Sequence, residues 1–561
     1  MKFNQILHHC FWGLLPACLL LGMQDASAQS AINAMTFARP DMKGTARYMS
    51  MGGAFGALGG DLTTLSMNPA GIGVYRNHEI GVTVGLDAIS TSSESSAGKF
   101  SNDKTPFLLN NIGGVLTLRL PSSACPNLNF GFTYNRTASF HNRYGGGLGN
   151  MRTSMTNWMA GVANAEGATV ADVSYSQGFN PYNPNDGGYA APWMTILAYQ
   201  SYLINPIGNQ DSPVWEGQFG DGTSGTANYN VEETGGIDSF NIAFGGNFGN
   251  VLYWGMDFDI SNLNYTRNTF YGENMQGAYV ESDQGIQQTS SNWNLQNWYN
   301  VSGTGFTYKL GVILRPIQEL RIGVAFHTPT YYSLTQTFSG MANATYNGTD
   351  SYTNYTNSDS RGYWEPGYND FRFVSPWKVM VSASGVIGGR FIVSADYQWD
   401  FASKMHFKDP AYLYDGYDAM YPYYANLNSY SYTNDDIKNY YGDIHTLRVG
   451  AEMRLTKNFS IRAGYSNVSS GVKQSAADGR EIIYTAGTMP EYSFSHATNY
   501  YTAGLGYRTG GFYVDLAYVN KQNTSTYHAF AGDPDSSMPV EPTANVKFTS
   551  NQVVMSLGYK F

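Results

Sequence analysis

A chain of 561 residues with a mean hydropathy of −0.32 has, outside its N-terminus, no apolar run of the roughly 18 residues that a spanning helix needs, which excludes a helical membrane protein. A net charge of −10 with only 32 Lys and Arg argues against nucleic acid as a partner. Few charged residues (13%), 15% aromatics with 44 Tyr, and 63 Gly read instead as long strands joined by polar turns and loops.

The first segment reads as an export signal. Lys2 supplies the positive charge, "CFWGLLPACLLLG" the apolar stretch, and "ASA" before Gln29 a small-x-small cleavage site, so residues 1–28 are predicted to be removed. A lipoprotein cut at Cys18 is the alternative; Pro16 and the apolar stretch that runs on past Cys18 weigh against it. With the cut after Ala28 only Cys125 remains, so neither an internal disulfide nor a cysteine-rich metal site is expected.

Residues 29–78 are too long for a tail and too glycine-rich for an independent domain. Asp61 can cap a short helix over Leu62–Met67, which Pro69 stops, and Gly52, Gly53, Gly56, Gly59 and Gly60 permit tight bends. From residue 79 onward a period of two takes over. Ile80, Val82, Val84 and Leu86 alternate with small or polar neighbours, as do Leu128–Tyr134, Trp254–Ile260, Leu447–Leu455 and the final Val553–Phe561. Fourteen strands are predicted, at 79–88, 111–120, 127–140, 239–248, 251–265, 303–314, 319–335, 374–385, 390–405, 443–455, 459–466, 499–508, 511–521 and 549–561. Short turns alternate with long polar loops, the pattern of an outer-membrane barrel with periplasmic turns. The fold class is therefore all-β, a transmembrane antiparallel barrel at 79–561. Such a cylinder is too wide to be filled by its own side chains, so 29–78 is expected to fold inside it as a plug. Both termini are expected on the periplasmic side.

The longest loop, 141–238, carries "APWMTILAYQSYLINP", a helix that Pro192 starts and Asn205-Pro206 stops. Its Trp193, Met194, Ile196, Leu197, Tyr199, Tyr202 and Leu203 are candidates for capturing an apolar substrate, the alternative being a loop helix packed on other loops. On the inward positions of the strands, Asp257, Asp259, Asp396, Arg448, Glu452, Arg454, Arg462 and Arg508 would form a charge network, since a charge facing lipid costs about 2–4 kcal/mol at mid-membrane. These charges either pair across the lumen, line a water channel, or hold the plug. No metal or cofactor is expected; "NPNDGG" (183–188) lacks the ligand spacing of a calcium loop. There is no G-x-S-x-G, H-E-x-x-H or Walker loop, and the His are scattered, so an enzyme is not expected.

The segment "ARYMSMGGAFGALGGDLTTLSMNPAG", with "SPWKVMVSASGVIGGRFIVSADYQW" and "TLRVGAEMRLTKNFSIRAGYSN", resembles the FadL-type outer-membrane transporters of long-chain fatty acids and other hydrophobic compounds, in their Bacteroidetes form. Asn68-Pro69-Ala70 matches the hatch motif of that family; the loops do not match. The resemblance implies TonB-independent, passive uptake of a hydrophobic small molecule, gated by the hatch, with lateral exit through the wall at an inward kink of the third strand. Here that strand runs into "NRYGGGLGN", where Gly145–Gly147 would weaken pairing. Implied partners are outer-membrane lipid and lipopolysaccharide, and the barrel assembly machinery, which reads a terminal aromatic strand such as the one ending in Phe561. A surface adhesion barrel and a general porin for polar solutes are the alternatives.

Overall fold

The computed structural model describes residues 29–39, 41–122, 124–182, 191–282, 285–356, 365–410, 429–485, 488–532 and 542–561. Residues 1–28, expected as an export signal, and 183–188 lie outside the described residues. Fourteen antiparallel strands follow one another around a cylinder. They are β1 (Glu79–Ser95), β2 (Gly98–Lys104 and Phe107–Arg119), β3 (Asn127–Ser139 and Asn142–Leu148), β4 (Ser224–Phe248), β5 (Leu252–Ser282), β6 (Gly285–Leu314) and β7 (Leu320–His327 and Tyr331–Tyr346). The circuit continues with β8 (Asp350–Tyr355, Gly367–Val374 and Lys378–Ile387), β9 (Phe391–Asp400 and His406–Lys408), β10 (Ile444–Arg454), β11 (Phe459–Val468), β12 (Tyr492–Thr509), β13 (Phe512–His528) and β14 (Thr543–Lys560). The last strand closes on the first, from Glu79 opposite Lys560 to Glu94 opposite Asn545.

The alternation sorts side chains as the sequence requires. On β14, Val553, Met555 and Tyr559, and Phe561 just past its end, point outward and are exposed, while Gln552, Val554 and Ser556 are buried inside. Ile80, Leu116, Phe132, Ile242, Ile260, Val324, Val381, Leu447 and Leu516 continue the exposed apolar band around the wall. In water such a belt would forfeit about 25 cal/mol per Å² of apolar surface; in hydrocarbon it is the solvated face.

Two differences from the sequence-based expectation concern the part beyond this belt. The strands run much further than predicted: β5 and β6 span 31 and 30 residues, and 266–302, expected as loop, is ladder almost throughout. Past the bilayer neither face must be apolar, so the period-two signal fades although backbone pairing continues. The long loop shrinks for the same reason: Asn142–Leu148 pairs with Ala227–Glu233, leaving 149–223. In addition, β7, β8 and β9 are interrupted side by side, at Thr328–Thr330, Ser375–Trp377 and Phe401–Met405. Pro329 and Pro376, each lacking a ladder donor, sit in two of these breaks.

Inside the cylinder lie three helices, α1 (Ala31–Ala38), α2 (Ala46–Ser50) and α3 (Thr64–Met67), and a 3₁₀ turn (Pro69–Val74). Their seat is a wall of inward glycines. A Cβ at Gly450 or Gly464 would overlap Met51, one at Gly504 would meet Ser50, at Gly323 Gly56, at Gly311 Asn68, at Gly255 Pro69, and at Gly131 Leu65. These residues come from strands around the whole circumference, so the hatch fits a ring shaped for its backbone. Gln29 is not near the short turns. Its Oε1 accepts from Asn369 and Asn33 donates to Tyr299, which places the start of the described chain at the long-loop end of the lumen. Phe561 is at the opposite end, its backbone paired with His78.

Candidate functional site

The hatch is tied at Asn68. Its backbone N–H donates to Thr64, its Nδ2 to the carbonyl of Gly56 at 2.6 Å, and its Oδ1 accepts from Ala70 N at 3.1 Å. It thereby caps the 3₁₀ turn that Pro69, with its φ preset, begins. Pro69 starts this second turn as well as ending α3. Ala70 packs on Tyr253 and Ile313 of the wall. All three residues are buried in the contact between hatch and barrel.

Half of the predicted charges sit at that contact. Glu452 accepts from Arg47 of α2 at 2.9 Å and from Arg462 at 2.7 Å, and Arg462 reaches Asp515 at 2.6 Å. Asp396 accepts from Gly56 N at 2.9 Å, and Arg448 donates to Gln398. Asp257 and Asp259 share Lys309, at 3.2 and 2.6 Å. Arg454 and Arg508 are the corrections: both are exposed beside the short turns, where the lumen opens below the hatch, and Arg508 lies over the Tyr513 ring. Sequence reasoning missed Arg47, Lys309, Asp515 and the Lys43–Asp87 pair. Three of them, Asp87, Lys309 and Asp515, occupy inward positions on strands already placed, so the alternation could have found them.

The wall is not uniform. The ladder between β2 and β3 runs from Arg119 opposite Asn127 to Asn111 opposite Asn135 and is not continued above. Asn110 is an extra residue where β2 pairs with β1: Thr83 faces Asn111 and Val84 faces Leu109. Higher up, inward hydroxyls of Thr91 and Ser95 on β1 donate to the carbonyls of Arg143 and Gly147. The upper part of β3 therefore passes on the lumen side of β1. Gly145–Gly147 do not fray; they pair fully with Asn228–Asn230 of β4 and lack a ladder only toward β2. Where the β2–β3 ladder stops, a polar row begins along the lumen wall. Asn111 donates to Asn135, Asn135 to Asn241, and Asn241 to Asp257 beside Lys309. Directly below on the outer face lies an apolar groove of about 870 Å³, lined by Ile80, Ile112, Gly114, Leu116, Phe130 and Phe132 among others. Behind it stand Gly81, against which Leu62 of the hatch packs, and Gly131, against which Leu65 and Ile72 pack.

Above the hatch the lumen is aromatic. Tyr229 stacks on Tyr527 at 4.0 Å with Tyr144 against their edges, and Tyr265 meets Phe37 of α1, Phe140 and Tyr299. The predicted capture helix, observed as Trp193–Gln200, does not offer these rings a free face. Trp193, Met194, Ile196, Leu197 and Leu203 are buried in the core of the folded loop, Trp193 on Phe338 at 4.8 Å, and Tyr199 packs on Trp215. Only Tyr202 is exposed, beside Tyr352. An apolar run of this length in a water-facing loop must bury itself, which leaves it as packing.

No family model matches the chain, and no curated protein sequence matches it. Among solved structures, a FadL homologue of Pseudomonas aeruginosa shares 12% identity over 93% of this chain and all of its own, with a TM-score of 0.49. The toluene transporter TodX of P. putida shares 12% over 93% and 99% (TM-score 0.48), and the toluene transporter TbuX of Ralstonia pickettii 14% over 92% and 98% (TM-score 0.40). This chain is similar to those barrels in fold alone, and the cargo named is theirs.

Proposed function

We propose that this chain is an outer-membrane channel for passive uptake of hydrophobic small molecules, long-chain fatty acids among them, gated by the hatch and emptied sideways through the wall. The observation that carries the reading is the conjunction at β2–β3: a ladder that stops at Asn111–Asn135, beside a groove lined by lipid-facing side chains, at the level where the hatch blocks the axis below. An apolar chain released downward into water would lose about 0.8 kcal/mol of burial per CH₂, so a sideways route into hydrocarbon is the favourable one. The aromatic lining above the hatch suits apolar cargo, and a hatch seated on glycines, with its charges paired to the wall, suits a gate. The Asn68 knot would hold the gate's shape without touching cargo.

Deleting residues 44–73 tests the gate. Uptake of a labelled long-chain fatty acid is expected to lose its saturation while the membrane becomes leaky to small polar dyes. Uptake and leakiness both unchanged would reject gating. High single-channel conductance in the intact chain would favour a polar porin instead.

A further inference from the structure

Two buried charges in the lumen lack hydrogen-bond partners and face the same space. Arg267 of β5 is 8% exposed, and its Nε and Nη2 have no hydrogen-bond acceptor. Glu491, just before β12, is 4% exposed, and neither of its carboxylate oxygens has a donor. Both line one small cavity, closed by Ser30, Ile32 and Asn33 of the hatch's first turn and by Thr485 and Met489. At about 10 Å³ that cavity has room for roughly one water while α1 is seated. The charges are not consumed by their neighbours. Glu233, across the ladder from Arg267, spends its oxygens on Tyr265 OH at 2.6 Å and on Asn142 at 3.3 Å. Among the described residues no ion pair joins Arg267 to Glu491. Buried polar groups are as a rule satisfied, and buried charges left open toward a shared cavity are costly unless something enters to complete them.

We propose that Arg267 and Glu491 form a head-group site for zwitterionic amphiphiles, molecules with an apolar tail and a head bearing both an anion and an N–H donor. This rests on the channel reading and narrows its cargo. The guanidinium takes the anion, for which its planar set of donors is suited, and the carboxylate takes the ammonium. A simple fatty acid satisfies Arg267 but brings a second anion toward Glu491. A simple amine does the reverse. Only a head with both groups completes the pair, as an α-amino acid does. The tail takes the place of Phe37 of α1 against Tyr265 of β5 and Tyr299 of β6, rings that are packed together and buried while α1 is seated. Since the closed cavity holds about one water, α1 must shift to admit a head group.

The test is a binding series on the purified full-length barrel in non-ionic detergent at neutral pH, with tritiated 2-aminohexadecanoic acid, hexadecanoic acid and hexadecylamine. The intact protein should bind the amino acid about tenfold more tightly than either single-charge probe. Glu491→Gln should abolish that advantage and leave hexadecanoate binding unchanged or improved. Arg267→Gln should weaken both acids, with heat-modifiable gel mobility confirming that the barrel is intact. Equal affinities in the intact protein, or an advantage that survives Glu491→Gln, would overturn the proposal. Uptake by cells is measured in parallel with hexadecanoate. If uptake persists without any zwitterion preference, the head-group site falls and the channel stands; if no probe enters cells, the channel reading itself fails.

Discussion

The two seams that flank the start of the barrel differ. Between β14 and β1 the ladder runs unbroken from Glu79 to Glu94, past the bilayer and up into the loops. Between β2 and β3 it stops at Asn111, and the chain above turns into the lumen. Both strand pairs have apolar outward residues, so lipid does not distinguish them. What differs is local: one extra residue at Asn110, glycines at 113 and 114, and asparagines whose amides bond to one another rather than to a plug. A closed barrel pairs every backbone group in hydrocarbon. A seam left open at its upper edge is therefore a costly feature that a purely structural cylinder would lack.

Attacking the far end of the polar row should produce the largest effect. Lys309→Met removes the cation that Asp257 and Asp259 share and leaves both carboxylates buried, a loss of about 3–5 kcal/mol. Heat-modifiable mobility should fail at a markedly lower temperature, whereas a change of the exposed Arg454 should leave it where it was. Next comes the seam itself. Deleting Asn110 removes the bulge and should let the β2–β3 ladder extend, lowering fatty-acid uptake about tenfold, roughly 1.4 kcal/mol of barrier, with barrel stability retained. Unchanged uptake in a folded deletion variant would mean that cargo leaves elsewhere.

A smaller effect is expected within the hatch. Asn68→Ala loses the cap on the 3₁₀ turn, about 1 kcal/mol, and should speed amide exchange over 64–74 without touching the wall strands. The smallest concerns the loops. Asp436, on the Ser431–Tyr440 helix that packs near α1, has its carboxyl pushed up to about 7 by burial, then by Asp435 and Glu481. A raised folded pKa means the folded helix holds a proton that the unfolded one has released. Its stability should therefore be greatest at low pH and decline as pH rises from about 4 to about 7. Protection factors at this helix, that is exchange corrected for its intrinsic pH dependence, should be higher at pH 5 than at pH 8, and Asp436→Asn should flatten the difference.

Where the bilayer imposes its rule, the sequence was legible. Strand number, the inward placement of Asp257, Asp396 and Glu452, and the outward face of 553–561 all follow from period two. Beyond the bilayer the rule lapses. The long ladder of 266–302 reads as polar loop because its faces are covered by loops and water, and neither must be apolar. The Trp193–Gln200 helix was legible as a helix, but its apolarity was ambiguous between a binding face and a loop core, and packing on Phe338 and Trp215 decided for the core. Arg267 and Glu491 were invisible for another reason: nothing in the spacing of 267 and 491 brings them to one cavity.

By itself, then, the chain determined a cylinder and its filling. Alternation fixes which side chains meet lipid, and inward glycines leave room that only a compact, glycine-rich segment can occupy. Only the tertiary structure decided where that cylinder is incomplete and which charges within it are unanswered. A ladder's end and a shared cavity depend on register and on contacts between distant segments, and these arise when all the strands close together.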